Sequence, residues 1–131
     1  MVKLTPEQRA LLEAPNFAHF VTLMKDGSPQ VTPVWVDYDG EFVIINTAEG
    51  RQKPRNLVRD NRVALSVIDQ DNPYKYIQVR GKVAETTTTG ARDHIEMLCR
   101  KYRGPDAQYP HRDGEVRVMF KIAPEHVEGR L

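Results

Sequence analysis

The sequence predicts a mainly β domain, an antiparallel barrel or strongly bent sheet of about six strands with a few short helices. Three observations carry this reading. Apolar, β-branched runs about six residues long recur along the chain, Asp-Gly pairs separate the first of them, and several runs are apolar on both faces, as in Phe17, Phe20, Val21, Leu23 and Met24.

The elements follow in order. Thr5-Pro6-Glu7-Gln8 predicts a helix start, with Thr5 as N-cap, Pro6 at the first helical position and Gln8 completing a capping box; Pro15 ends that helix. Phe17 to Met24, Val31 to Val36 and Phe42 to Thr47 read as strands joined at Asp26-Gly27 and Asp39-Gly40, which predicts an antiparallel meander. Residues 51–62, RQKPRNLVRDNR, break the pattern with five basic side chains against one acid, and Pro54 suits the first turn of a short helix there. Val63 to Ile68 reads as a strand, and Tyr74 to Glu85 as a longer one bent at Gly81. Ala91, Ile95, Leu98, Cys99 and Tyr102 keep helical spacing until Gly104-Pro105. Arg117 to Ile122 alternates as a last strand.

The chain of 131 residues suits a single domain over 1–131, large enough to bury a core without disulfides. A hydrophobic content of 40% with 28% charged residues excludes a disordered chain. No run approaches the roughly 18 apolar residues of a membrane span. The net charge of +1 removes any bulk attraction to nucleic acid or membrane, so no partner of either kind is expected. The start MVKLTPEQRA carries no apolar leader, which argues for the cytoplasm. Strands apolar on both faces need cover on both sides, and in so short a chain a second subunit related by a two-fold axis supplies it.

The basic stretch is the most informative local feature. Arg51, Lys53 and Arg55 follow a strand end and open a helix, where free N–H groups and guanidinium forks together suit a phosphate; the competing reading is a solvated charged face. Trp35 and the strand Gln30-Val31-Thr32-Pro33 lie next to that turn. Pro33 cannot donate to a ladder, which puts the strand at an edge open to a planar ligand, while Trp35 taken alone reads as core. Tyr74 and Tyr76 alternate near Arg80 and could stack on a ligand, across a dimer or within the sheet. The four histidines are too scattered for a metal site, and Cys99 falls on the apolar stripe of its helix. Neither GxGxxG nor GxxxxGK[ST] occurs.

The block GSPQVTPVWVDYDGEFVIINTAEGRQKPRNLVRDNRVALSV, residues 27–67, resembles the flavin/deazaflavin split-barrel superfamily that includes pyridoxamine 5′-phosphate oxidase, and is most similar to its coenzyme F420-dependent branch. The likeness runs from Leu4 to about Val83 and weakens beyond. It implies a split β-barrel homodimer with a cofactor cleft at the interface. It further implies an oxidoreductase that passes a hydride from reduced deazaflavin to an activated double bond of a small planar substrate. An FMN-dependent oxidase-like enzyme, or a non-catalytic flavin, deazaflavin or haem carrier, are the alternatives. By this resemblance Gln30, Val31, Thr32, Pro33 and Trp35 lie along the ring. Thr47, Ala48, Arg51, Lys53 and Arg55 hold the ribityl and phosphate groups, and Tyr74, Tyr76 and Arg80 come from either chain. No catalytic side chain is nominated, because the cofactor carries the chemistry.

Overall fold

A computed structural model describes residues 1–131. In chain order the elements are α1 (Pro6–Glu13), β1 (Ala18–Leu23), β2 (Pro29–Val34), β3 (Asp37–Tyr38), β4 (Val43–Ala48), α2 (Gln52–Arg59), β5 (Arg62–Asp69), β6 (Asn72–Thr87), α3 (Ala91–Arg103) and β7 (Arg117–Arg130). The capping box of α1 is formed as its sequence requires: Gln8 N–H donates to Thr5 Oγ1 at 3.2 Å, and Thr5 N–H donates to Gln8 Oε1 at 2.9 Å.

Seven strands, one more than the six or so expected, form a single antiparallel sheet in the order β2-β1-β5-β6-β7-β4-β3. Along β1 and β5 the buried positions alternate: Ala18, Phe20 and Thr22 on one strand, Val63, Leu65 and Val67 on the next. The sheet curls until its two ends share one core. Phe20 of β1 and Val34 of β2 belong to the same apolar cluster as Tyr38, Val43 and Ile45 from the opposite end. This is a split β-barrel, open between β2 and β3.

The expected three-strand meander is not what forms. β1 and β2 pair across Asp26-Gly27 and β3 pairs with β4 across Asp39-Gly40, but β4 pairs with β7 and not with β2. The chain leaves β2 at Val34, two residues short of the expected strand end, and crosses the mouth of the barrel through Trp35 and Val36. Side chains of α3 replace the missing ladder bonds there. Val36 N–H donates to Tyr102 Oη at 3.0 Å, Tyr102 Oη donates to Asn16 O at 2.7 Å, and Lys101 Nζ donates to Val36 O at 2.7 Å. As Pro33 requires, β2 is an edge strand with β1 its only neighbour.

Gly81 marks a bend in the long strand, as its sequence position indicates. The β6–β7 register shifts between Arg80 and Gly81, and a Cβ at Gly81 would stand 2.2 Å from the carbonyl oxygen of Ala123. Gly81→Ala is therefore expected to cost about 1–3 kcal/mol through overpacking against backbone that cannot yield. Thermal unfolding checks this; an unchanged melting temperature would contradict the close approach. No helix is long and apolar enough to cross a membrane.

Candidate functional site

A cleft of about 280 Å3 opens at the split of the barrel. Pro33, Val34 and Trp35 form one wall, where the chain leaves the edge strand. The floor is the pair of strands β4 and β7, which contribute Asn46, Thr47 and Arg117; the register sets Ala48 opposite Arg117, so both strand ends meet at one point. Arg51 and Lys53 enter from the start of α2, and Ile95, Arg103 and Tyr109 close the far side.

The aromatic wall is built from four rings. Trp35 is half-buried, and Tyr102 stacks on it with centroids 5.3 Å apart and planes 8° from parallel. Tyr109 meets Trp35 edge-on at 6.3 Å, and the Arg103 guanidinium lies 5.0 Å from the Trp35 ring centre. Phe17, 51% exposed, leans on Tyr102 at 5.3 Å. Trp35 is thus neither pure core nor a free platform. Tyr102 takes one face of it, and the remainder borders the cleft.

Beside the rings is a surplus of positive charge. Arg51 lies 3.5 Å and Arg117 3.4 Å from the single Glu115 carboxylate, while Lys53 has no acidic partner. With Arg103, four cations line the cleft, and Glu115 is the one acid paired with any of them. Burial, and then the neighbouring Arg51, hold the Lys53 ammonium below its usual range, the signature of a charge whose counterion is missing. The N-cap of α2, Arg51, makes no side-chain cap bond, and Pro54 has no N–H, so the N–H groups of Gln52 and Lys53 are the two left for a ligand. The donor set fits a phosphate, and the adjoining aromatic wall fits a ring.

Of the sequence-chosen positions, Pro33, Trp35, Thr47, Arg51 and Lys53 come together in this cleft. Gln30 is half-buried near the base of β2, with its Oε1 3.5 Å from Asn56 Nδ2. Val31 projects outward and is 60% exposed. Thr32 Oγ1 is the one buried side-chain polar atom without a protein partner. Ala48 is buried beneath the floor. Arg55 turns away: its guanidinium donates to Gly50 O at 2.7 Å and to Gln52 Oε1 at 2.9 Å. Residues two apart on a helix point about 200° from each other, which separates Arg55 from Lys53. Tyr74 and Tyr76 are exposed on β6. Arg80 lines a different hollow of about 350 Å3 with Arg62, Lys82 and His126, larger but without an aromatic wall.

Sequence reasoning missed Asn46, Ile95, Arg103, Tyr109 and Arg117. Arg117 and Asn46 are strand residues whose role depends on the β4–β7 ladder, a pairing between segments some 70 residues apart that leaves no local signal. Tyr109 sits in the connection after α3, where only its aromaticity hinted at a role.

By fold and cleft the protein is a split β-barrel of the flavin and deazaflavin oxidoreductase class. The family described as pyridoxamine 5′-phosphate oxidase matches residues 4–130, and the chain belongs to that family. A solved F420 reductase is 35% identical and superposes with a TM-score of 0.84, over 95% of this chain and 98% of that one. A conserved hypothetical protein of Mycobacterium tuberculosis shares the fold at 21% identity, TM-score 0.74, covering 97% of this chain and 84% of that one. A putative pyridoxamine 5′-phosphate oxidase of Listeria innocua does so at 18%, TM-score 0.69, with 91% of each chain covered.

Proposed function

We propose that this protein is a coenzyme F420-dependent reductase acting as a cytoplasmic homodimer. One observation carries the reading: Lys53, half-buried without an acidic partner, stands beside Arg51 and within the same cleft as Trp35. Reduced deazaflavin, when bound, supplies a hydride for an activated double bond of a small planar substrate. The chain's own part is to bind and orient. Lys53 and Arg51 hold the phosphate by charge-assisted hydrogen bonds, and the edge from Pro33 to Trp35 lies along the ring. Phe17, Val34 and Ile95 supply apolar contacts beside the ring. In the dimer the outward face bearing Val21, Val31 and Ala64 packs on its mate, and Tyr74, Tyr76 and Arg80 reach the cleft of the other chain. The 35% identity to an F420 reductase over nearly the whole chain favours deazaflavin over FMN.

Equilibrium titration of the apoprotein with coenzyme F420 and with FMN tests this. F420 is expected to bind more tightly and to change the fluorescence of Trp35, the only tryptophan, in step with occupancy. Light scattering is expected to give twice 15.0 kDa. Tight binding of FMN with none of F420 would overturn the cofactor assignment, and a monomer that binds F420 would overturn the dimer.

A further inference from the structure

The floor of the cleft holds an arginine that a phosphate turn at Arg51 and Lys53 does not require. The Arg117 side chain is only 4% exposed. Its Nε donates to Asn46 Oδ1 at 3.0 Å and its Nη1 to Tyr109 Oη at 3.0 Å, with a Glu115 oxygen 3.4 Å from Nη1. No protein acceptor meets Nη2. Nor is Nη2 sealed in, because Thr32 Oγ1 is the only fully buried side-chain polar atom lacking a partner. The opening that Arg117 lines is the cleft. A guanidinium is a donor only, so this arm is completed by an acceptor atom, from solvent in the empty cleft or from a ligand that displaces it.

Its direction is fixed from behind. Asn46 Nδ2 donates to Ala91 O at 2.8 Å and lies 3.0 Å from His94 Nδ1. His94 Nε2 lies 2.9 Å from Asp37 Oδ2. One arrangement satisfies every member: His94 carries its proton on Nε2 and donates it to Asp37, Nδ1 accepts from Asn46, and Asn46 Oδ1 is left to accept from Arg117. A flipped Asn46 amide would set Nδ2 against Arg117 Nε, donor facing donor, and Oδ1 against the Ala91 carbonyl.

We propose that Arg117 Nη2 binds an acceptor atom of the cofactor at the cleft floor, across the shared Glu115 carboxylate from Arg51, and that Asn46 and His94 are its positioning residues. This rests on the reading of the cleft as a cofactor site. Titration with coenzyme F420, with melting temperatures measured alongside, tests it. Arg117→Met is expected to weaken binding by about tenfold or more, the scale of one hydrogen bond to a charged group. Should that variant fail to fold, the His94 pair decides. His94→Leu is expected to weaken binding about fivefold by leaving Asn46 Nδ2 held by the Ala91 carbonyl alone, whereas His94→Gln, which can still accept from Asn46 and donate to Asp37, restores it to within about twofold. A purely structural role would lower the melting temperature of both His94 variants without separating their affinities. If the parent binds neither F420 nor FMN, the cofactor reading falls and this assignment with it. Parental binding that Arg117→Met leaves intact, or His94→Leu and His94→Gln variants with equal affinities, would overturn the Arg117 assignment alone.

Discussion

Lys53→Met is expected to reduce affinity for coenzyme F420 by about ten- to a hundredfold while leaving the fold as stable as the parent, or more stable. Both halves follow from one fact. Burial and the neighbouring Arg51 depress the Lys53 pKa below its ordinary value of 10.5, so its charge is a cost in the empty protein. That cost is present in full below the depressed folded value and is relieved as pH rises toward 10.5, because over this window the unfolded chain binds the proton more tightly. Stability of the parent should therefore rise with pH across that window. Lys101, pushed down to about 8 by burial, adds a slope of the same sign, so the difference between variant and parent isolates Lys53. A phosphate beside Lys53 restores the ammonium, and cofactor affinity should weaken as pH climbs past the pKa of the free protein. Urea unfolding and cofactor titration across alkaline pH read both effects. A Lys53→Met protein that bound F420 like the parent would remove Lys53 from the phosphate site.

Asn56→Ala is expected to cost about 2–3 kcal/mol, a fall in melting temperature on the order of 10 °C for a domain of this size. Asn56 is fully buried on α2 and ties the helix to the sheet. Its Nδ2 donates to Thr22 Oγ1 at 3.0 Å, while its Oδ1 accepts from Gln52 Nε2 at 2.8 Å and from Arg59 Nη2 at 3.0 Å. Truncation leaves Thr22, itself 1% exposed, without that donor and releases both helix side chains. Because α2 carries Lys53, binding should weaken as well. Asn56→Asp keeps the acceptor and loses the donor; it should be destabilised while the Gln52 and Arg59 contacts remain. A melting temperature unchanged in Asn56→Ala would show that the helix is anchored elsewhere.

What was legible in the sequence was mostly local. The capping box of α1, the β1–β2 hairpin at Asp26-Gly27, the bend at Gly81 and the limits of α3 all follow from residues within a few positions of one another. The crossing at Trp35 and Val36 was not legible, because its backbone is satisfied by Tyr102 and Lys101, more than 60 residues away. The extra strand β3 is only two residues, Asp37 and Tyr38, and is defined by its pairing with β4. The site divides in the same way. Arg51 and Lys53 announce themselves as a charge run at a helix start. Arg55 belongs to the same run, but the helical turn carries it away from the cleft. Arg117 and Asn46 become neighbours only through the β4–β7 ladder, and their link to His94 only through the packing of α3 on β4.

The central claim is that the cleft between Trp35 and Lys53 holds a deazaflavin with its phosphate at the start of α2. A crystal structure of the protein with coenzyme F420 tests it most directly. The account predicts phosphate oxygens within hydrogen-bonding distance of Lys53 Nζ and Arg51, and a ring lying along Pro33 to Trp35. A cofactor seated instead in the hollow lined by Arg62, Arg80, Lys82 and His126, with Lys53 untouched, would contradict it.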